Sequence, residues 1–413
     1  MTVNFDFLPD RRITESAKWR SYHPDILPMW IADMDFLSPE PVIQALCARA
    51  RHGVFGYPEE MPDLIQGIID WSARHYGWSV KPEEIVLLPG VVTGFNLACQ
   101  AVAVQGEAAL VQTPVYPPFL TAPDHARLQR QENLLERDAD GDYQVNFEAF
   151  EAAITPQTRI FILCNPHNPV GRVFRRDELE RIAELCLKHD VIICSDEIHC
   201  DLVYQGHRHI PIAALDPEVA RQTITLMAPS KTFNIAGLGC SFAVIPDSQL
   251  RQKFNHARRG LVNGVNALAQ VAAVAAYREG ESWLEQLLQY LQQNRDLLYD
   301  CVNRELPGIS MGRPEGTYLA WLDCRQSGIL DLQENGIEGN PYRFFMEKAR
   351  VAFNDGEYFG RGGEGFVRLN FGCPRALLVE ALERMKEALK CIPGKSNPAA
   401  DVRRQEGELA ASF

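Results

Sequence analysis

The chain has 413 residues, of which 46% are hydrophobic and 23% charged, a composition that is typical of folded globular proteins and excludes an intrinsically disordered chain. Its formal net charge of −13 repels phosphate backbones, so we expect no nucleic-acid partner. Eleven cysteines without C-x-x-C spacing argue against a zinc ribbon or a disulfide framework and fit a cytoplasmic location.

Membrane association is not indicated by the sequence. The longest nearly apolar stretch, residues 267–277, is well short of the roughly 20 residues that a membrane span needs. The N-terminal residues MTVNFDF lack the basic and then apolar pattern of a signal peptide. We therefore expect a protein that makes no membrane contact.

Short apolar runs alternate with amphipathic stretches between about residues 85 and 245. Several of these runs are apolar without polar alternation, as strands buried on both faces are. The predicted strands are residues 85–88, 109–111, 160–163, 191–194, 223–227 and 241–245. Residues 176–189 repeat apolar side chains at helical spacing. Strands separated by helices predict an α/β fold, in which helices cover both faces of a mainly parallel sheet.

The second half of the chain indicates a smaller α+β domain. A long helix is predicted over residues 280–306 and ends at Pro307-Gly308. Two strand-like segments and a terminal helix follow it, at residues 317–322, 366–371 and 375–390. We place the limits of the parts at 1–45 for an N-terminal segment beside the small domain, 46–290 for the large domain, 291–392 for the small domain, and 393–413 for a mobile tail.

Reactive and turn-forming residues follow one predicted strand after another. Because ligands bind beyond the carboxyl ends of the strands in open α/β sheets, we expect these residues to meet at one sheet edge. They are Val91, Val92 and Thr93 at the start of a helix, then Tyr116, Asn168, Asp196, Ser230 and Lys231.

This set of groups matches one cofactor. A helix N-terminus with Thr93 and Ser230 suits a phosphate. Asp196 can hold a cationic ring nitrogen, and Tyr116 offers an aromatic face. Lys231 can bond covalently to an aldehyde when its amine is neutral. Phosphate, cationic ring and aldehyde together describe pyridoxal 5′-phosphate.

Four motifs carry a family resemblance, and they occur in the family's order along the chain. They are N-P-H-N-P-V-G at 165–171, S-D-E-I-H at 195–199, A-P-S-K-T-F-N at 228–234 and V-R-L-N-F-G at 367–372. On these motifs the chain resembles the fold-type I pyridoxal-phosphate enzymes of the class I/II aminotransferase superfamily. That resemblance implies a mainly parallel sheet of the seven-stranded type, sandwiched by helices, plus a smaller α+β domain.

A narrower resemblance points to the cystathionine β-lyase, or carbon–sulfur lyase, branch. Its carriers are L-P-M-W-I-A-D-M-D-F at 27–36, G-V-F-G-Y at 53–57, E-I-H-C-D at 197–201 and E-G-T-Y-L-A-W-L-D at 315–323. His199 stands where many aminotransferases of the superfamily carry a tyrosine, and histidine occurs there in the lyase branch. We take His199 as a cofactor contact, with a satisfied structural histidine as the alternative.

The resemblance implies a role for each matching residue at the cofactor. Lys231 binds the cofactor covalently, Asp196 keeps the ring nitrogen protonated, and Asn168 hydrogen-bonds the ring hydroxyl. Tyr116 stacks on the ring. The phosphate is held by the amides and side chains of Val91, Val92, Thr93 and Ser230 and by Tyr57 of a neighbouring subunit, which implies a homodimer.

On the substrate side, the resemblance assigns the α-carboxylate to Arg368, whose planar fork suits bidentate binding. Trp30 and Asp33 are placed near the substrate entrance, with a structural role as the alternative. No metal site is expected, because no set of ligands with suitable spacing is evident.

The expected activity is α,β-elimination from an L-amino acid with a sulfur leaving group, such as cystathionine or cysteine, giving pyruvate, ammonia and a thiol. Lys231 is the expected general base. An aminotransferase of the same superfamily is the alternative, because the residues above serve steps that both reactions share. Some members of the lyase branch bind a transcription regulator, but nothing in this sequence supports such a partner.

Overall fold

A seven-stranded sheet forms the centre of the larger part of the chain in the computed structural model, which describes residues 2–334 and 336–392. Its strands, β1 to β7 in chain order, are Ile85–Leu88, Ala108–Thr113, Gln129–Leu134, Thr158–Cys164, Ile192–Asp196, Thr223–Met227 and Ser241–Val244. They lie in the order β1-β7-β6-β5-β4-β2-β3. Only β7 is antiparallel to its neighbours within this sheet, so the prediction of a mainly parallel α/β sheet is confirmed.

The strands that the sequence predicted in this sheet are those that contain buried apolar residues. All residues of β1, β2, β6 and β7 are buried, as expected for strands covered on both faces. The strand that the sequence analysis missed is β3, with the sequence QRQENL. It lies at the edge of the sheet and is largely exposed or half-buried, so it has no apolar run to detect.

Helices surround the sheet and form much of the second part of the chain. The α-helices of the described residues are Ala17–Arg20, Glu40–Arg51, Pro62–Tyr76, Val91–Val102, Pro118–His125, Phe147–Ala153, Arg176–Lys188, Pro217–Arg221, Pro229–Thr232, Ser248–Arg258, Ala267–Glu279, Glu281–Glu305, Pro341–Phe344 and Arg375–Leu389. None of these helices is both long enough and apolar enough to cross a membrane.

A three-stranded antiparallel sheet forms the centre of the second part. Its strands are Leu319–Asp323 (β8), Asn354–Asp355 (β9) and Phe366–Asn370 (β10), with β10 in the middle. The predicted smaller α+β part is thus confirmed. The predicted domain limit at residue 290 falls inside the helix Glu281–Glu305, and the predicted tail, residues 393–413, lies outside the described residues.

The N-terminal segment joins the second part through a short parallel pairing. Leu27–Pro28 pairs with Val351–Ala352. The Met29 carbonyl accepts a hydrogen bond from the backbone N–H of Asn370 at the end of β10. The residues that follow Met29 therefore start from a fixed position beside the small sheet.

One glycine sets how closely the helix Val91–Val102 approaches the large sheet. A Cβ atom at Gly94 would lie 2.7 Å from Leu226 Cδ2 and 3.2 Å from Leu88 Cδ1, both of which are fully buried. Only glycine gives the helix this close contact with β1 and β6. The contact holds the N-terminus of the helix beside the carboxyl end of β1.

We expect Gly94→Ala to lower the free energy of unfolding by about 1 kcal/mol or more. Overpacking a filled core costs about 1–3 kcal/mol, which exceeds the helix-propensity gain of alanine of about 0.5–1 kcal/mol. Urea denaturation measures the effect. Gly264→Ala is the control, because no atom of the described residues comes within 4 Å of its added Cβ; it should stay within about 0.5 kcal/mol of the parent. Equal stability of the two variants would contradict the close contact.

Candidate active site

A cavity of about 490 Å³ opens at the carboxyl edge of the large sheet and is closed on its other side by the second part of the chain. Most of the predicted site residues line it: Trp30, Val91, Val92, Tyr116, Asn168, Asp196, His199, Ser230, Lys231 and Arg368. Residues from five strand ends and from β10 therefore meet in one space. The structure places the other three predicted residues, Tyr57, Thr93 and Asp33, outside this lining.

Lys231 lies on the single-turn helix Pro229–Thr232, which follows β6 directly. Its Nζ donates a hydrogen bond of 2.6 Å to the Ala32 carbonyl. Burial lowers the pKa of Lys231 to about 8, and the positive charge of Arg368 acts in the same direction, whereas Asp33 and Asp196 oppose it. Roughly a tenth of this amine is therefore neutral at pH 7, and the neutral form is the one that a nucleophile or a general base requires.

Asp196 is the last residue of β5, and its side chain is buried. Its Oδ1 accepts a hydrogen bond of 3.0 Å from the Ile198 amide. Burial raises the pKa of Asp196 to about 7, so its charged form gains from a cation placed in the cavity. A protonated ring nitrogen is such a cation.

Arg368 in β10 is fixed by two asparagine side chains. Its Nη1 donates to Asn168 Oδ1 at 2.8 Å, and its Nη2 donates to Asn354 Oδ1 at 2.6 Å. Burial lowers the pKa of Arg368 to about 10, and its Nε has no hydrogen-bond partner among the described residues. Because the Asn168 oxygen is taken by Arg368, its amide nitrogen is left to donate to a ligand oxygen.

His199 is buried beside Tyr318, with ring centroids 5.8 Å apart. Burial is the largest cause that holds the pKa of His199 well below its ordinary value, and the charges of Lys231 and Arg368 add to this effect. Its Nδ1 has no hydrogen-bond partner among the described residues. His199 is thus a neutral imidazole at the wall of the cavity.

The far end of the cavity is formed by the first turn of the helix Val91–Val102. The first amide groups of a helix have no intrahelical partner, and the helix dipole favours an anion there. Val91, Val92 and Ser230 line this end, and Thr93 is half-buried in the same turn. The arrangement suits a phosphate group.

Several groups of the site were missed by sequence reasoning. They are the Ala32 carbonyl, the Tyr318 hydroxyl, which donates to the same carbonyl at 2.9 Å, and the cavity residues Asn354 and Tyr358. Tyr318 lies inside the E-G-T-Y run, so a signal for it was available. A backbone carbonyl has no sequence signature, and nothing in the local sequence indicated Asn354 or Tyr358.

The residues present fit pyridoxal 5′-phosphate. An anion-binding helix end, an aromatic ring at Tyr116, a free amide donor at Asn168, a carboxylate at Asp196 and a buried amine at Lys231 lie around one cavity. Each group of that cofactor has a partner of the required chemistry in this set. In the described residues, no group of His, Cys, Asp and Glu side chains is arranged to hold a metal ion.

The turn that carries Asn168 also contains a buried histidine, His167, which makes the stability of the fold depend on pH. Burial lowers the pKa of His167 to about 4, and its Nε2 lies 2.8 Å from the Pro114 carbonyl. His167 takes up a proton near pH 6.5 in the unfolded chain and only near pH 4 in the folded chain. Above pH 6.5 both states carry a neutral His167, so it does not change the free energy of unfolding with pH. Below pH 6.5 the free energy of unfolding falls, by up to about 3 kcal/mol near pH 4.

We expect His167→Gln to lose less stability than the parent between pH 6.5 and pH 4, because glutamine keeps a donor for Pro114 but takes up no proton. Urea denaturation at a series of pH values measures this difference. His52→Gln, at an exposed histidine, is the control and should follow the parent. A parallel loss in the parent and in His167→Gln would show that His167 does not carry the pH dependence.

Comparison with known proteins agrees with this geometry. The family model described as aminotransferase class I and II matches residues 24–385. Cystathionine beta-lyase PatB of Bacillus subtilis (strain 168) is 41% identical over 397 residues, which cover 94% of this chain and 100% of PatB.

Solved structures show the same relationship. The crystal structure of OvoB has 46% sequence identity and a TM-score of 0.88, covering 94% of this chain and 99% of that chain. The PLP-bound C-S lyase from Staphylococcus hominis has 33% identity and a TM-score of 0.88, with the same coverage of both chains. From the family match and these relatives together, we conclude that the chain belongs to the class I and II aminotransferase family.

Proposed function

We propose that this protein is a pyridoxal-phosphate-dependent carbon–sulfur β-lyase, which cleaves amino acids of the L-cystathionine and L-cysteine type. The observation that carries the proposal is the buried Lys231 amine, which shares one cavity with Asp196 and Arg368. PatB, named a cystathionine beta-lyase, and the Staphylococcus hominis protein, named a C-S lyase, support this reaction over others of the family.

The geometry of the cavity supports a role for each of its residues at the cofactor. When bound, pyridoxal phosphate supplies an aldehyde for amines and an electron-withdrawing ring that accepts the electron pair left at the substrate α-carbon. Asp196 keeps the proton on the ring nitrogen, and Asn168 donates to the ring hydroxyl. Tyr116 stacks on the ring, and the helix end at Val91 holds the phosphate with Ser230.

The substrate is oriented by Arg368, whose guanidinium binds the α-carboxylate in the fork geometry that suits two oxygens. The neutral Lys231 Nζ takes the proton from the α-carbon, and the same nitrogen can return it to the departing sulfur. Overall, one L-cystathionine and one water give homocysteine, pyruvate and ammonia, as the carbon–sulfur bond breaks.

An aminotransferase uses the same residues up to proton removal and differs in where the proton is returned. L-Cystathionine supplied without a keto acid separates the two reactions. We expect pyruvate and thiol to be released over many turnovers. Product that stops at about one equivalent per subunit, with the cofactor left in its amine form, would identify an aminotransferase instead.

The same assay tests Lys231. Lys231→Ala should lower the turnover rate at least about a thousandfold, because it removes both the nucleophile and the base. Lys253→Ala, at an exposed lysine, is the matched control and should keep full activity. A Lys231→Ala variant that retains turnover would show that another group removes the proton.

We further propose that the protein acts as a homodimer in which Tyr57 completes the phosphate site of the partner. Tyr57 is fully exposed in one chain, and the neighbouring Val54 and Phe55 are about 60% exposed. Apolar side chains grouped in this way are typical of a surface that another chain covers. Among the described residues, the cations that line the cavity are Lys231 and Arg368. Their proposed partners are the aldehyde and the substrate carboxylate, so neither is assigned to the phosphate.

Mixing two impaired variants tests this arrangement. If Tyr57 serves the partner's site, a mixed dimer of Tyr57→Ala and Lys231→Ala has one site with both residues intact, so activity returns on mixing. Each variant alone should be impaired, Lys231→Ala the more severely. If the mixture shows only the summed activities of its two components, although subunits exchange, Tyr57 does not act across the dimer.

The described residues include all eleven cysteines, and each is a free thiol in the structure. Nine of them are buried, as is typical of cysteines used as small core residues, and Cys47 and Cys391 are exposed. We therefore propose a reducing compartment, the cytoplasm, as the place where the protein acts.

A further inference from the structure

Four consecutive backbone carbonyls, those of residues 30–33, accept hydrogen bonds from the polar side chains that surround the site. We call these residues the carbonyl strap. The Trp30 carbonyl accepts from Arg368 Nη2 at 3.1 Å, and the Ala32 carbonyl accepts from Lys231 Nζ at 2.6 Å. The Ile31 and Asp33 carbonyls both accept from Asn370 Nδ2, at 2.6 and 2.7 Å. One short segment thus contacts both cations of the cavity.

A buried ion cluster fixes the strap from its other side. Lys18 Nζ donates to the Asp33 carbonyl at 3.1 Å and forms an ion pair of 2.7 Å with Asp35 Oδ2. Neither the Lys18 nor the Asp35 side chain is exposed at all. Asp35 also accepts from Trp19 Nε1 and from Arg11 Nη1, both at 2.7 Å. Both carboxylate oxygens of Asp35 therefore have partners, as a buried charge requires.

A buried ion pair of this kind contributes little net stability, because the free-energy cost of removing two charges from water is about as large as the gain from their attraction. Apolar residues of similar volume would serve stability equally well. The ion pair also fixes the backbone. The Lys18 ammonium has acceptors in fixed positions, so it holds the backbone that it contacts in one arrangement.

We propose that Lys18 and Asp35 are positioning residues of the active site, which hold the carbonyl strap and thereby set the place of Lys231 Nζ and of the Arg368 guanidinium. Neither residue lines the cavity, so neither is a catalytic residue. The inference rests on the proposed roles of Lys231 and Arg368, but its test needs no turnover.

The Ala32 carbonyl is the link to a measurable property. An acceptor at hydrogen-bond distance favours the charged form of an amine. In addition to this neutral carbonyl, three charged groups act on the pKa of Lys231, namely Asp33, Asp196 and Arg368. Of these, Asp33 is held by Arg11, with 2.6 Å between Arg11 Nη2 and Asp33 Oδ2. If the strap loosens, the Ala32 carbonyl moves away from the Lys231 amine. The amine then loses an acceptor for its charged form, and burial lowers its pKa further.

The experiment uses the full-length chain before the cofactor is added. The rate at which Lys231 is acylated by an amine reagent is followed against pH by mass spectrometry of the peptide that contains residue 231, which gives the pKa of that amine. In Lys18→Met we expect this pKa to fall by about one pH unit, so that labelling at pH 7 becomes about fivefold faster.

Two further variants make the result decisive. Arg159→Met breaks a different ion pair, with Glu107, at the opposite edge of the sheet, and should leave the pKa of Lys231 unchanged. Lys18→Met/Asp35→Leu removes both buried charges at once, so it leaves neither charge of that pair buried without its partner, and it should lower the pKa as the single variant does.

A folded Lys18→Met or Lys18→Met/Asp35→Leu protein whose Lys231 pKa is unchanged or raised would overturn the proposal. Failure of both variants to fold would assign the pair to fold stability alone and would overturn it equally. Because labelling does not depend on substrate, a protein that lacks lyase activity but shows the expected pKa change refutes the proposed function and keeps the positioning role.

Discussion

The burial of a single amine, Lys231 Nζ, is the constraint on which the rest of the site depends. Water is the best solvent for an ammonium group, so a lysine removed from it shifts toward the neutral form. Here burial brings the pKa to about 8, and a neutral amine is what bond formation to an aldehyde and proton removal both need. The fold must therefore bury the amine and still leave it facing a cavity.

Two structural parts meet this requirement together. The large sheet delivers Lys231, Asp196 and Asn168 at its carboxyl edge, where buried parallel strands end and polar side chains have room. The smaller sheet brings Arg368 over the same cavity, and the hydrogen bond from Arg368 to Asn168 joins the two parts. Because this hydrogen bond takes the Asn168 oxygen, the side-chain nitrogen of Asn168 is left to donate to another group.

Local signals made most of this arrangement predictable from sequence. The strand β1 is a continuous apolar run, and each motif around Asn168, Asp196 and Lys231 consists of consecutive residues, so short windows of sequence contain them. The edge strand β3 was missed because its polar residues face solvent on a sheet edge. The Ala32 carbonyl was missed because any residue type supplies a carbonyl, and its contact with Lys231 spans 199 positions of the chain.

The covalent attachment of the cofactor at Lys231 is the central claim, and borohydride reduction of the protein loaded with pyridoxal phosphate tests it most directly. Reduction makes the bond permanent, so mass spectrometry of the digested protein locates it. We predict that the peptide containing residue 231, and no other lysine peptide, gains the mass of the reduced cofactor. A peptide of unmodified mass at this position, or a colourless protein that takes up no cofactor, would contradict it.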